Sequence, residues 1–303
     1  MYQQILVPLD GSAFGEAALP LALELSRRTG ANVHLATVLE PVTSFAYEGW
    51  EGAAVEWCDK YLEDVTSRIA GKAGGEVTTA VLSGHSVAML QSEAEAKKAD
   101  VVVMATHGRG ALSRMWLGSV ADGFLRQADR PVILVRPTEG GDPPTSFEQT
   151  FDTLLIPLDG SELSESALTH ATEFGELFDS AYHLTRIVSY PLDVASPYLP
   201  HTAQMHQQIV DDAKRGSADY LEAHAENLRR RGLRVTTSVA VDAQPGHGIL
   251  SEATAVGSDA IAMATHGRTG LSRVILGSAA DKVMRGSHSP LLLYRPNHPN
   301  GDQ

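Results

Sequence analysis

Cysteine is almost absent from this chain of 303 residues, and Cys58 is the only one. A single thiol excludes an intrachain disulfide framework, offers no metal-ligand spacing and fits a reducing compartment. On its own, Cys58 reads as a half-buried apolar side chain on a helix. Long apolar runs are also missing: no stretch approaches the roughly 18 residues of a membrane-crossing helix. Met1 leads through Gln3-Gln4 directly into Ile5-Leu6-Val7 without a basic leader, so a soluble, cytoplasmic protein is expected. Basic residues are scarce, 24 Lys and Arg against 37 Asp and Glu, for a formal net charge of −13. The deficit is shared, with 12 against 19 in residues 1–150 and 12 against 18 in 151–303. Such a surface repels phosphate backbones and anionic lipid, so neither nucleic acid nor membrane is an expected partner. No Gly-x4-Gly-Lys-Ser/Thr occurs, which removes the hardware of a P-loop motor. No His-Glu-x-x-His occurs, and His201 and His206 stand in a loop-like stretch, so the histidines give no protein metal site.

What the chain does have is an internal duplication. Ile5-Leu6-Val7-Pro8-Leu9-Asp10-Gly11-Ser12 returns 149 positions later as Leu154-Leu155-Ile156-Pro157-Leu158-Asp159-Gly160-Ser161. Residues 105–137 align without gaps on 264–296, with 18 of 33 positions identical. The offset there is 159, so the second half carries about ten extra residues, placed most simply in a helix around 205–231. The Gly, Pro and polar content from Thr138 to Ser146 reads as a linker. The expected organisation is a domain over 1–138, a linker over 139–150 and a second domain over 151–297.

Within each half, apolar β-branched runs alternate with stretches of helical period. The expected strands are Gln4–Leu9, Asn32–Leu39, Glu76–Leu82, Val101–Thr106 and Pro131–Arg136, then Thr153–Leu158, Ala181–Val188, Arg234–Val241, Ala260–Thr265 and Pro290–Arg295. Near-continuous apolar strands such as Val101-Val102-Val103-Met104 suit a sheet covered on both faces. Strand and helix in alternation imply parallel strands. The fold class is α/β: two tandem doubly wound domains, each a five-stranded parallel sheet flanked by helices. Pro20 falls inside the first expected helix, Ala17–Arg28, and predicts a local kink. The run Glu93, Glu95, Lys97, Lys98 predicts a solvated helix face, and the recurring His34 and His183 predict packing or a hydrogen bond at the edge of the core.

In such a sheet the ligand crevice lies beyond the carboxyl ends of the strands, where the strand order reverses. Both of the most similar segments fall there. In Pro8-Leu9-Asp10-Gly11-Ser12, the hydroxyl of Ser12 is placed to cap the next helix. In Ala105-Thr106-His107-Gly108-Arg109-Gly110, followed by Leu117-Gly118-Ser119, glycines and a helix start present backbone N–H groups suited to phosphate oxygens. Arg109 adds countercharge, and the Ser119 hydroxyl can meet a phosphate or its magnesium. The set returns as Gly267, Arg268, Gly277 and Ser278. His107 and His266 lie beside the loop, with no sequence neighbour that would make either a general base.

These motifs, closed by Arg-Pro-Val-Ile-Leu-Val, resemble the universal stress protein family over nearly the whole chain, twice. The resemblance implies a Rossmann-like fold of the adenine nucleotide alpha hydrolase-like kind. It also implies ATP, with magnesium through its phosphates, bound by Gly-x2-Gly-x9-Gly-Ser/Thr, an aspartate at the end of the first strand and an aliphatic wall from the second. Carried over, the first-half site is Pro8, Leu9, Asp10, Gly11, Ser12, Val38, Met104, Ala105, Thr106, Gly108, Arg109, Gly118, Ser119 and Val120. The second is Pro157, Leu158, Asp159, Gly160, Ser161, Ile187, Met263, Ala264, Thr265, Gly267, Arg268, Gly277, Ser278 and Ala279. The first glycine of the motif is replaced by Ala105 and Ala264, which costs on the order of 1 kcal/mol if that position needs a positive φ. The expected role is a stress-response binding protein with slow or no hydrolysis. The alternatives are a nucleotide-free interaction scaffold and, behind it, a true nucleotide-hydrolysing enzyme. The resemblance further implies that the two halves pair through Val132–Val135 and Leu291–Tyr294, and it admits a homodimer of the whole chain.

Overall fold

The computed structural model describes residues 2–41, 50–106, 117–137, 144, 146–189, 202–265 and 277–295. The chain divides into two compact units, the first ending at Gln149 and the second beginning at Thr150. In the first unit the elements are β1 (Gln4–Leu9), α1 (Leu19–Thr29), β2 (Asn32–Leu39), α2 (Trp50–Arg68), β3 (Val77–Ser83), α3 (Ser86–Ala96), β4 (Val101–Ala105), α4 (Ser119–Gln127) and β5 (Val132–Val135). In the second they are β6 (Thr153–Pro157), α5 (Glu162–Glu176), β7 (Ala181–Val188), α6 (Thr202–Arg230), β8 (Val235–Val241), α7 (Pro245–Val256), β9 (Ala260–Ala264), α8 (Ser278–Gly286) and β10 (Leu291–Tyr294).

Each unit is built on parallel strands. Their order is β3-β2-β1-β4-β5 in the first and β8-β7-β6-β9-β10 in the second. The order reverses between β1 and β4 and between β6 and β9, which fixes where a ligand crevice opens. The central strands are apolar on both faces: Ile5, Leu6, Val7, Val101, Val102 and Val103 are fully buried, as are Leu154, Leu155 and Ile156. At about 1.5–3 kcal/mol for each fully buried aliphatic side chain, these short strands carry much of the sheet's stability. In the second unit Phe174 and Phe178 of α5 and its end close the core around Phe151, with ring centroids about 5 Å apart.

The amino ends of the sheets are fixed by a duplicated carboxylate. Asp100, just before β4, accepts the backbone N–H groups of Gln3 at 2.7 Å and Gln4 at 2.8 Å. Asp259, just before β9, accepts those of Asp152 at 2.8 Å and Thr153 at 2.9 Å. Each aspartate therefore sets the register of the central strand pair at the rim opposite the crevice.

Several local expectations change. Helix α1 starts only at Leu19, after a 3-10 turn over Gly15–Ala18, so Pro20 lies in its first turn. An amide there has no intrahelical partner, and the proline causes no kink. The ten extra residues lie in α6, which has 29 residues against 19 in α2. Cys58 is fully buried rather than half-buried. Glu93 leaves the solvated run and turns inward, its carboxylate 2.7 Å from Nε2 of the buried His34. Nδ1 of His34 meets the Thr78 hydroxyl at 2.8 Å. His183 repeats the arrangement, with Thr236 at 2.8 Å and Ser238 at 2.9 Å, and Ser238 in turn donates to Glu252. Burial holds both imidazoles below the ordinary histidine pKa, against the pull of Glu93 and Glu252.

Candidate functional site

At the carboxyl ends of β1 and β6 the two units make the same turn. Asp10 Oδ1 accepts the Ser12 N–H at 3.0 Å and the Ser12 hydroxyl at 2.6 Å. Asp159 Oδ1 accepts the Ser161 pair at 2.9 and 2.6 Å. Between them Gly11 and Gly160 have φ of 76° and 84°, a left-handed conformation that glycine alone adopts cheaply. The serine oxygens then accept the next free amides, Gly15 at 3.2 Å and Ser164 at 3.1 Å. Ser161 is thus a true N-cap of α5, whereas Ser12 serves the 3-10 turn ahead of α1. Pro8 and Pro157 precede the buried Leu9 and Leu158.

The second wall comes from β4 and β9. Thr106 and Thr265 donate their N–H groups to Val135 and Tyr294, each at 2.9 Å, so chain and sheet part company one residue after the strand. Their carbonyls accept the N–H of Gly118 at 2.7 Å and of Gly277 at 3.1 Å. These glycines are the N-caps of α4 and α8 and supply no side-chain cap. The first amides of each helix, from Ser119 and Val120 or Ser278 and Ala279, therefore sit at the partly positive end. Met104 and Met263 are buried beneath. Ala105 and Ala264 end their strands, and among the described residues the only non-glycine residues with positive φ are Lys98 and Asp179. The missing glycine therefore carries no demand for left-handed backbone, and its only effect is the added methyl group.

In the second unit these pieces line one cavity of about 690 Å³. Pro157, Leu158 and Asp159 come from the first strand, Ile187 from the second, Met263, Ala264 and Thr265 from the fourth, and Gly277, Ser278 and Ala279 from the helix start. Gly160 and Ser161 support the turn without lining the cavity. Val38 in the first unit lies one residue before the end of β2, opposite Leu82, the place that Ile187 holds on β7. Gly108, Arg109, Gly267 and Arg268, with His107 and His266, lie outside the described residues.

Sequence reasoning missed several lining residues, chiefly Arg186 of β7, Gly216 and Ser217 of α6, and Ser164 of α5. Successive residues of β7 face opposite ways. His183 and Ile187 turn toward α7, Ile187 lying against Gly248, whereas Arg186 turns toward α6 and stacks over Tyr220, with 4.8 Å from Cζ to the ring centroid. The Tyr220 hydroxyl donates to Glu165 at 2.8 Å, and burial together with that carboxylate raises its pKa. In the first unit the corresponding carboxylate, Glu16, is buried and held by both terminal nitrogens of Arg68 at 2.9 Å. The signal available in the sequence was the comparison of the halves at equal offset, which sets Arg186 against Thr37. Among the described residues no group of three or more His, Cys, Asp or Glu is arranged to hold a metal ion, and no helix is long and apolar enough to cross a membrane.

The sequence is 28% identical over 300 residues to a universal stress protein of Mycolicibacterium smegmatis, covering 96% of this chain and 97% of that one. It is 28% identical over 149 residues to a universal stress protein of Methanocaldococcus jannaschii, covering 49% of this chain and 84% of that protein. The fold is similar to that of a universal stress protein from Archaeoglobus fulgidus, with a TM-score of 0.72 at 18% identity over 96% of this chain and 98% of that one. The universal stress protein family itself matches twice, over residues 1–136 and again over 150–295, and the chain accordingly belongs to that family as a tandem member.

Proposed function

We propose that this tandem universal stress protein binds ATP or a related adenine nucleotide and acts as a stress-response binding protein rather than a fast enzyme. The observation that carries the reading is the cavity of the second unit, which joins Asp159 to the amino end of α8 within about 690 Å³. That volume falls in the usual range of small-molecule pockets, roughly 300–1,000 Å³. In this reading Ile187 packs against the base and the carboxylate of Asp159, fixed by Ser161, accepts from the sugar. The Ser278 and Ala279 amides with the Ser278 hydroxyl hold phosphate oxygens, through which magnesium would bind. The residues Pro8 to Ser12, Val38, Met104 to Thr106 and Gly118 to Val120 form the equivalent set of a first domain over 1–138. The linker is assigned to 139–150 and the second domain to 151–297, and the protein to the cytoplasm.

The described lining supports slow turnover. Its carboxylate, Asp159, has one oxygen committed to Ser161, and Ser278 has no base beside it among the described lining residues. Isothermal titration of the whole chain with ATP and magnesium tests the proposal. Saturable heat with a matching rise in melting temperature is expected. No heat and no stabilisation at millimolar nucleotide would overturn it in favour of a nucleotide-free scaffold.

A further inference from the structure

The two domains differ on the helix whose start closes this cavity. Helices α4 and α8 correspond at an offset of 159, and both carry the same ion pair, Asp122 with Arg126 at 2.8 Å and Asp281 with Arg285 at 2.8 Å. Between the paired residues the first domain has Gly123 and the second has Lys282. The neighbouring helix reverses the exchange. Val87 of α3 corresponds to Gly246 of α7 at the same offset, and Cγ2 of Val87 lies 2.8 Å from where a Cβ on Gly123 would stand. In the second domain a Cβ on Gly246 would stand 2.6 Å from Cβ and 2.9 Å from Cγ of Lys282. Bulk has moved from one helix to the other, and the glycine in the first turn of α7 makes room for a lysine stem. Any aliphatic side chain would meet the packing need, whereas lysine adds a charge.

Helix geometry sets the place of that charge. Lys282 lies four residues after Ser278 in α8, so their Cβ atoms are about 5–6 Å apart on one face. Side chains on a helix lean toward its amino end, which carries the four-carbon stem of Lys282 back over the turn of Ser278 and Ala279. Both of those residues line the cavity, as does Pro245, the neighbour of Gly246. Lys282 is exposed, and no carboxylate among the described residues pairs with it, Asp281 being taken by Arg285.

We propose that Lys282 is a phosphate-binding residue of the second-domain cavity and makes it selective for a nucleoside polyphosphate over a monophosphate. The inference rests on the nucleotide reading above and names the ligand class within it. One phosphoryl group engages the amides of Ser278 and Ala279 at the start of α8. The further charge of a longer phosphate chain then meets the ammonium, a compact cation on a flexible stem. The first domain, with Gly123, lacks a cation at this position.

The test is titration of the full chain with AMP and with ATP, each in the presence of magnesium. The natural protein is expected to bind ATP at least tenfold more tightly than AMP at its tighter site. In Lys282→Gln, which keeps much of the stem and removes the charge, that ratio should fall below threefold because ATP loses more affinity than AMP, while the melting temperature without nucleotide stays the same. Lys282→Arg should retain the preference. Added salt should narrow the ratio in the natural protein and have little effect on it in Lys282→Gln. A ratio near one in the natural protein overturns this inference and leaves the nucleotide reading standing, as does a preference that Lys282→Gln leaves intact. No binding of either nucleotide overturns both.

Discussion

Replacing Asp159 separates the turn that its carboxylate fixes from the sugar contact proposed for it. Oδ1 accepts both the amide and the hydroxyl of Ser161, and Ser161 in turn accepts the Ser164 amide that begins α5. Hydrogen bonds to a charged group contribute about 1.5–3 kcal/mol each when buried, but this turn is only partly buried and water replaces much of what is lost. Asp159→Ala is therefore expected to cost about 1–2 kcal/mol, a fall in melting temperature of roughly 3–6 °C for a domain of this size. Asp159→Asn keeps a carbonyl oxygen in the Oδ1 position and should lose less than half as much. The proposed nucleotide binding should behave differently, because both variants lose the charge proposed to face the sugar. At a ligand concentration of a hundred times Kd the natural protein gains about 2.7 kcal/mol of stability, and that gain should shrink in both variants. Thermal melts with and without ATP and magnesium read the two effects independently. An Asp159→Ala melt equal to that of the natural protein would refute the turn argument. A full ATP-induced shift in Asp159→Asn would remove Asp159 from the binding site.

Three more outcomes are expected. Gly175→Ala places a Cβ 2.4 Å from the Tyr182 hydroxyl, which donates to the Thr172 carbonyl at 3.1 Å in a sealed core, so denaturant titration should show a loss of about 1–3 kcal/mol. His34 and His183 titrate below the ordinary histidine value because burial disfavours their charged form. Between that depressed value and about 6.5 the unfolded chain holds more protons, so stability should be full near pH 7 and fall as pH drops toward about 5, by at most about 1.4 kcal/mol per pH unit for each histidine. Urea unfolding across that range should show a shallower slope in His34→Gln, and an unchanged slope would count against the assignment. Ala264→Gly relieves no left-handed strain, so it should change ATP affinity by less than about threefold, well short of the tenfold that 1.4 kcal/mol represents; a tenfold gain would show that the methyl group blocks the site.

Much of this was readable before any coordinates. The strands are legible because β1, β4, β6 and β9 are buried on both faces and so are almost uninterrupted in Val, Ile, Leu, Ala and Met. Asp10 and Asp159 are legible because a turn that needs glycine at left-handed φ leaves the same Asp-Gly-Ser signature twice. Glu93 was misjudged because charge along a run says nothing about direction, whereas its helical position turns it to His34 while Glu95 stays outside. Pro20 was misjudged because the 3-10 turn ahead of it delays the helix start, and a change of helical pitch leaves little trace in periodicity. Arg186 escaped notice because a lone arginine at the end of a strand looks like ordinary surface. Its surroundings depend on Gly216 and Tyr220, 30 and 34 residues away on helix α6, a neighbourhood that only the fold creates.

The paired aspartates before β4 and β9 have a consequence for how such a duplicated chain can diverge. Because Asp100 and Asp259 tie down the start of the central strands, alignment of the sheet does not depend on contacts at the far edge. Differences there, threonine in one copy against arginine in the other on the strand and tryptophan against glycine on a neighbouring helix, are carried without shifting the scaffold. The amino edge anchors both copies alike, and the differences at the carboxyl edge are confined to positions outside the repeated Asp-Gly-Ser turn.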